Sequence, residues 1–164
     1  MFMSVKVGFA ILRTALFGGA MLLAVQFAFA ALTITETTSP TLGILLSGAS
    51  GRNFILNTDQ TVSGTDSADY LTGAVSGELS VKKTGGGQSA NILADNITTS
   101  GGVSVNAVPC KYGTGSQTTC DGSGLNVTVS GTKSLWVGID LNTSQSHSGG
   151  DSASVTYDIT ITLL

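Results

Sequence analysis

The sequence predicts an all-β protein: an antiparallel β-sandwich behind a cleavable leader. Three observations carry this. Apolar and polar residues alternate with period two along most of residues 31–164. Glycine makes up 22 of the 164 residues and recurs between the alternating runs. The first thirty residues are different in kind, with all three Met, five of the six Phe and no acid. Period-two alternation sends side chains to opposite faces of a strand, one buried and one wet. A chain rich in Gly, Ser and Thr disfavours helix.

The leader comes first. Lys6 and Arg13 make its start basic, and no charge follows from Thr14 to Thr35. The densest apolar stretch is Ala20-Met21-Leu22-Leu23-Ala24-Val25, and the run closes on Ala28-Phe29-Ala30 before Ala31. A basic start, an apolar centre and an A-x-A exit form a secretory signal peptide cut between Ala30 and Ala31. A retained anchor is the competing reading, since about 20 apolar residues span a bilayer. Gly18-Gly19 and Gln26 dilute the run, and Leu32-Thr33-Ile34-Thr35 already alternates like a strand. The Gly8–Leu12 stretch is like a type IV prepilin leader, but Arg13 stands where that pattern has Glu. Residues 1–30 are therefore the signal peptide and 31–164 a single β-sandwich domain. The expected location is the periplasm, cell surface or medium, with no membrane attachment after cleavage.

Strands are expected in order at Leu32–Glu36, Leu42–Leu46, Asn53–Asn57, Glu78–Lys83, Asn91–Ile97 and Val103–Val108. Ser89–Thr98 is also compatible with a short helix. Leu125, Val127 and Val129 share a face, as do Leu135, Val137, Ile139 and Leu141, with Trp136 on the other side. Ser130-Gly131-Thr132-Lys133 is short and contains Gly, so these two runs are expected to pair as a hairpin. The closing run is the clearest. Ala153, Val155, Tyr157, Ile159, Ile161 and Leu163 fall on one face, and Ser154, Thr156, Asp158, Thr160 and Thr162 on the other. Many short strands with regular turn signals make a sandwich.

Charge excludes some functions. Beyond the leader five cations, Arg52, Lys82, Lys83, Lys111 and Lys133, face ten acids. An acidic chain with scattered lysines has no phosphate-binding patch, so no nucleic-acid partner is expected. Regular aliphatic spacing with few charges argues against disorder.

Cys110 and Cys120 are the only cysteines. In an exported chain the default for such a pair is a disulfide. Closing so short a loop is worth about 3 kcal/mol at most. Tyr112 sits inside the loop as a plausible contact residue. His147 is the sole histidine and shares one Ser/Gly loop with Asp151. Catalytic triads converge from separate elements, so His147 reads as a solvated loop residue. Asp59, Asp66 and Asp69 offer oxygen ligands of the kind calcium takes. Their spacing fits no calcium loop, and they read as turn carboxylates. No catalytic, cofactor-binding or metal residue is assigned, and no enzyme is expected.

The chain also carries Leu32-Thr33-Ile34-Thr35, Gly48-Ala49-Ser50-Gly51, Thr61-Val62-Ser63-Gly64 and Gly73-Ala74-Val75-Ser76-Gly77-Glu78. Thr99-Ser100-Gly101-Gly102, Leu135-Trp136-Val137-Gly138 and Tyr157-Asp158-Ile159-Thr160-Ile161-Thr162 follow. On these residues the mature chain resembles an uncharacterised family of small exported bacterial β-domains, a domain of unknown function similar to fimbrial and spore-coat-like subunits. The resemblance implies an immunoglobulin-like sandwich with a structural or surface role and no catalytic residues. The chain departs from chaperone–usher pilins. Glu36 interrupts the apolar N-terminal strand, the cysteine pair is late and close, and Leu163 stands where those have an aromatic.

The expected function is an exported structural or adhesive subunit, fimbrial-like, assembling by β-strand addition. Val155, Tyr157, Ile159, Ile161 and Leu163 would form the assembly strand, with other copies or a periplasmic chaperone as partners. A monomeric binding module that uses its loops is the alternative. Intact-mass measurement of the exported protein should find Ala31 as the first residue. Retention of residues 1–30 would revive the anchor.

Overall fold

The computed structural model describes residues 2–7, 31–45, 48, 50–67, 70–148 and 151–164. Ala30 and the apolar run before it lie outside these residues, as do Leu46, Asp69 and Gly149-Gly150. The described residues form strands and no α-helix. In chain order these are β1 (Phe2–Val7), β2 (Leu32–Thr38), β3 (Ile44–Leu45), β4 (Asn53–Leu56), β5 (Val62–Ser63) and β6 (Tyr70–Thr72). Then come β7 (Gly77–Ser100), β8 (Val103–Ala107), β9 (Pro109–Tyr112), β10 (Thr118–Thr119), β11 (Leu125–Val137), β12 (Ile139–Thr143) and β13 (Ser154–Leu163).

Two sheets make the sandwich. The larger runs β1-β13-β7-β11-β9-β10, with β2 also on β7, and the smaller runs β5-β4-β12-β8. All pairings are antiparallel except β1 with β13. β3 and β6 form a separate short ladder.

Two expectations are corrected. Leu125–Val129 and the run beginning at Leu135 do not pair as a hairpin. Residues 125–137 are one strand, β11, antiparallel to β7 from Leu125–Ile92 to Val137–Gly77. Likewise Glu78–Lys83 and Asn91–Ile97 are the two halves of β7. At the join the register jumps: Val129 pairs with Gln88, but Gly131 pairs with Lys83. Residues 84–87 therefore stand opposite Ser130 alone. Gly85, Gly86 and Gly131 take φ of 81°, 86° and 59°, a left-handed geometry that glycine adopts without steric cost. A bulge of this kind bends the ribbon without ending it. Each half of β11 already has its partner in β7, so a hairpin would gain no backbone bonds. Ser89–Thr98 is strand, not helix, because β11 and β13 claim its two edges.

The Lys83 ammonium stabilises this corner. Lys83 is 4% exposed, and its Nζ donates to the carbonyls of Thr84 and Gly86 at 3.3 Å each. Ala31 and Thr84 exchange bonds of 3.1 Å on one side of the corner. On the other side the Leu164 N–H donates to the Ser89 carbonyl at 2.9 Å. The start of β2 and the end of β13 thus meet β7 at the same bend.

The other expected faces hold. Leu135, Val137, Ile139 and Leu141 are fully buried, and Trp136 lies on the opposite face. Their face continues through Gly138, where the chain leaves the large sheet for the small one. A Cβ at Gly138 would stand 2.0 Å from the Leu56 carbonyl oxygen, so only glycine fits this crossing. Phe54 and Leu56 from β4, with Leu79, Val81 and Ile92 from β7, fill the core beside them. β13 adds Val155, Tyr157 and Ile159, all at most 1% exposed, and Ile161 at 9%.

Substitutions in β13 test this face assignment. Ile159→Asp loses about 1.5–3 kcal/mol of burial and strands a carboxylate in the core. Against a total stability of about 5–15 kcal/mol, it should abolish or nearly abolish folding. Thr160→Asp, on the wet side, should shift the thermal midpoint far less. Equal melting of the two variants would show that the register of β13 is wrong.

Candidate functional site

The outer edge of β13 is the candidate site. Its inner edge is fastened to β7 by backbone pairing from Ser154–Ser100 to Leu163–Ala90. Side chains on the wet face add to this. The Thr98 and Thr156 hydroxyls lie 2.5 Å apart, and those of Ser100 and Ser154 2.7 Å apart. Asn96 Nδ2 donates to Asp158 Oδ2 at 2.9 Å. Asn96 has φ of 49° and lies at a bulge in β7, where the register shifts between Thr156 and Asp158. The irregularity falls on β7, and β13 runs on as an unbroken strand.

The sequence-assigned assembly residues lie together on its inward face. Val155, Tyr157, Ile159 and Ile161 are buried, and Leu163 is half-buried. They pack the core, so what they leave for an incoming strand is the backbone edge. A regular edge offers alternating N–H donors and C=O acceptors, a ready template for another strand. In this structure β1 occupies it in parallel, from Phe2–Ser154 to Val7–Ile159.

Tyr157 makes this strand sensitive to alkali. Its hydroxyl is buried and makes no hydrogen bond. Burial, and secondarily the charge of Glu36, holds its ionisation well above the ordinary tyrosine value.

Cys110 and Cys120 form the expected disulfide, with Cα atoms 5.7 Å apart, and both are fully buried. Tyr112 is not an exposed contact residue of that loop. It is 7% exposed on β9, packed in the core with Lys133 Nζ 5.6 Å from its ring centroid. Gly113, not Tyr112, begins the turn. On the outer side of β11, Lys111 Nζ lies 5.5 Å from the Trp136 ring centroid.

The residues weighed for other chemistry are occupied locally. Asp151 Oδ2 accepts from the Ser148 N–H at 2.7 Å, and His147 Nε2 lies 3.3 Å from the Gly102 carbonyl. The loop thus pairs Asp151 with backbone and not with the imidazole. Asp59 caps its own turn through Thr61, whose hydroxyl and N–H bonds hold its carboxyl below the usual range. Asp66 accepts from the Asn53 N–H and the Thr65 hydroxyl, which lower it likewise, and lies 3.6 Å from Arg52. Among the described residues no three His, Cys, Asp or Glu gather as a metal site.

Sequence reasoning missed a polar array on the small sheet. Asp140 Oδ1 accepts from Asn53 Nδ2 at 2.8 Å and Asn106 Nδ2 at 2.9 Å, and Asn142 Nδ2 donates to Asn106 at 3.2 Å. These residues come from β4, β8 and β12. Their wet-face positions were visible in the alternation, but the pairing that joins them was not. Neither a protein-family model nor a curated protein nor a solved structure matches the chain.

The buried phenol yields a pH test. Up to pH about 10, Tyr157 is neutral in both folded and unfolded chains. Above it the unfolded chain loses a proton that the folded chain keeps, so stability falls as pH rises. The melting temperature should drop above pH 10, and Tyr157→Phe should reduce that drop. At pH 7 the same variant should melt close to the parent, since the hydroxyl it removes has no partner. An unchanged alkaline profile would place the titration elsewhere.

Proposed function

We propose that this chain is an exported structural or adhesive surface subunit, fimbrial-like, that assembles by β-strand addition. The outer edge of β13 carries the reading: ten residues of regular strand whose neighbour on that side comes from residues 2–7. Once the leader is removed, that edge is open. Backbone hydrogen bonds then supply affinity to an incoming strand, and alternation of side chains supplies register. The incoming strand belongs to another copy or, before assembly, to a periplasmic chaperone. The two-sheet architecture supports an immunoglobulin-like sandwich as the scaffold. A buried disulfide is compatible with export, as is the finding that no helix among the described residues is long and apolar enough to cross a membrane.

The test is direct. Purified exported protein should show SDS-resistant ladders on unheated gels, or filaments by negative-stain microscopy. A chain that sediments as a monomer at every concentration would favour a lone binding module.

A further inference from the structure

We propose that the acceptor edge of β13 takes its strand in parallel, and that the occupant in the exported protein is β2 of a second copy. This rests on the assembly reading above and adds orientation, register and donor.

Orientation follows from the strand seated there. β1 runs parallel to β13, with Ser4 opposite Thr156, Val5 opposite Tyr157 and Lys6 opposite Asp158. The edge of β13 is thus geometrically complete for a parallel neighbour over at least Ser154–Ile159. It also lacks the features that usually guard an edge. β13 contains no Pro, no Lys and no Arg, and Asp158, its one charge, is engaged by Asn96. Residues 2–7 act in place of a guard for as long as they remain attached.

The donor follows from the free edges. Two β13 strands related by a two-fold axis would pair antiparallel, so a parallel acceptor needs a different segment. Among the described residues, the other outer strands are β2 with seven residues, β8 with five, β6 with three, and β3, β5 and β10 with two each. β2 is the longest of these, and its sole strand partner is β7. Thr33, Thr35, Glu36 and Thr37 are exposed along it, again without Pro or Lys. Its start at Leu32 directly follows the expected cut, so cleavage frees the approach to β2 as it opens β13. Pairing of β13 with another copy's β2 is heterologous. Every added copy presents a new acceptor and a new donor, and the array grows open-ended.

The experiment uses exported protein and the synthetic hexapeptide Phe-Met-Ser-Val-Lys-Val, the sequence of residues 2–7. Excess peptide should disperse the multimers seen without it. A second peptide, with an activated cysteine at its lysine, should cross-link to the Asp158→Cys chain in preference to Ser154→Cys. If the strand turned end for end about Ser4–Thr156, the preference would reverse. The expected preference is roughly tenfold, about what one or two misaligned backbone bonds would cost. Thr35→Lys on β2 should abolish multimers while the cross-link in the Asp158→Cys background persists. Multimers that survive saturating peptide, or equal cross-linking at the two sites, would overturn the acceptor edge and leave the assembly reading standing. Multimers unchanged by Thr35→Lys would overturn β2 as the donor. If the chain with Thr35 intact is monomeric without peptide yet still cross-links at position 158, the second copy is overturned as occupant, and the assembly reading with it.

Discussion

The antiparallel ladder between β7 and β11 runs from Gly77–Val137 to Ile92–Leu125, and the rest of the large sheet takes its place from it. β2 and β13 share the other edge of β7, and β9 pairs with the far edge of β11. Buried backbone groups must find partners, so a strand this long commits its neighbours to matching lengths. β12 follows β11 through Gly138, where this ladder ends, and β8 follows β7 through Gly101-Gly102, past the stretch of β7 that pairs with β13.

The bend in the ladder gives the sheet its shape. Residues 84–87 and Ser130 take up the register mismatch, and the Lys83 ammonium is held by carbonyls of the bulge. A buried charge without hydrogen bonds would be costly, so the corner and the lysine stabilise each other. The bend also brings Ala31 and Leu164 to one place, with the strands they bound lying along the two halves of β7. The two strands whose edges are proposed for assembly therefore each have an end at the same corner.

The division of labour in β13 follows from pleating. Its apolar residues pack inward and are consumed by the core, so they give the strand stability and regularity. Its pairing with β1 is made by backbone at the edge. Loss of inward packing and loss of edge pairing are thus separable effects of different atoms in one strand. The polar array on β4, β8 and β12 lies within the small sheet. It satisfies its own hydrogen bonds across the small sheet.

Local alternation by itself determined that the chain is strand, which face of each strand is buried, and that β13 is its most regular element. Val155, Tyr157, Ile159 and Ile161 could be assigned inward from spacing alone, because burial of a strand face depends on parity and not on partner. Two cysteines close in sequence, in a chain read as exported, were enough to expect the disulfide. Pairing was decided only by the tertiary structure. Ser130-Gly131 reads as a turn because glycine permits left-handed backbone, yet the same freedom also permits a bulge. Which one forms depends on whether a distant strand is present to pair with both halves, and here β7 is. Tyr112 looked exposed because its loop is polar, and it is buried because β9 adds to the edge of β11. The same holds for the parallel strand at β13: its register is a contact between residues 2–7 and the far end of the chain, and no local pattern encodes a contact of that separation.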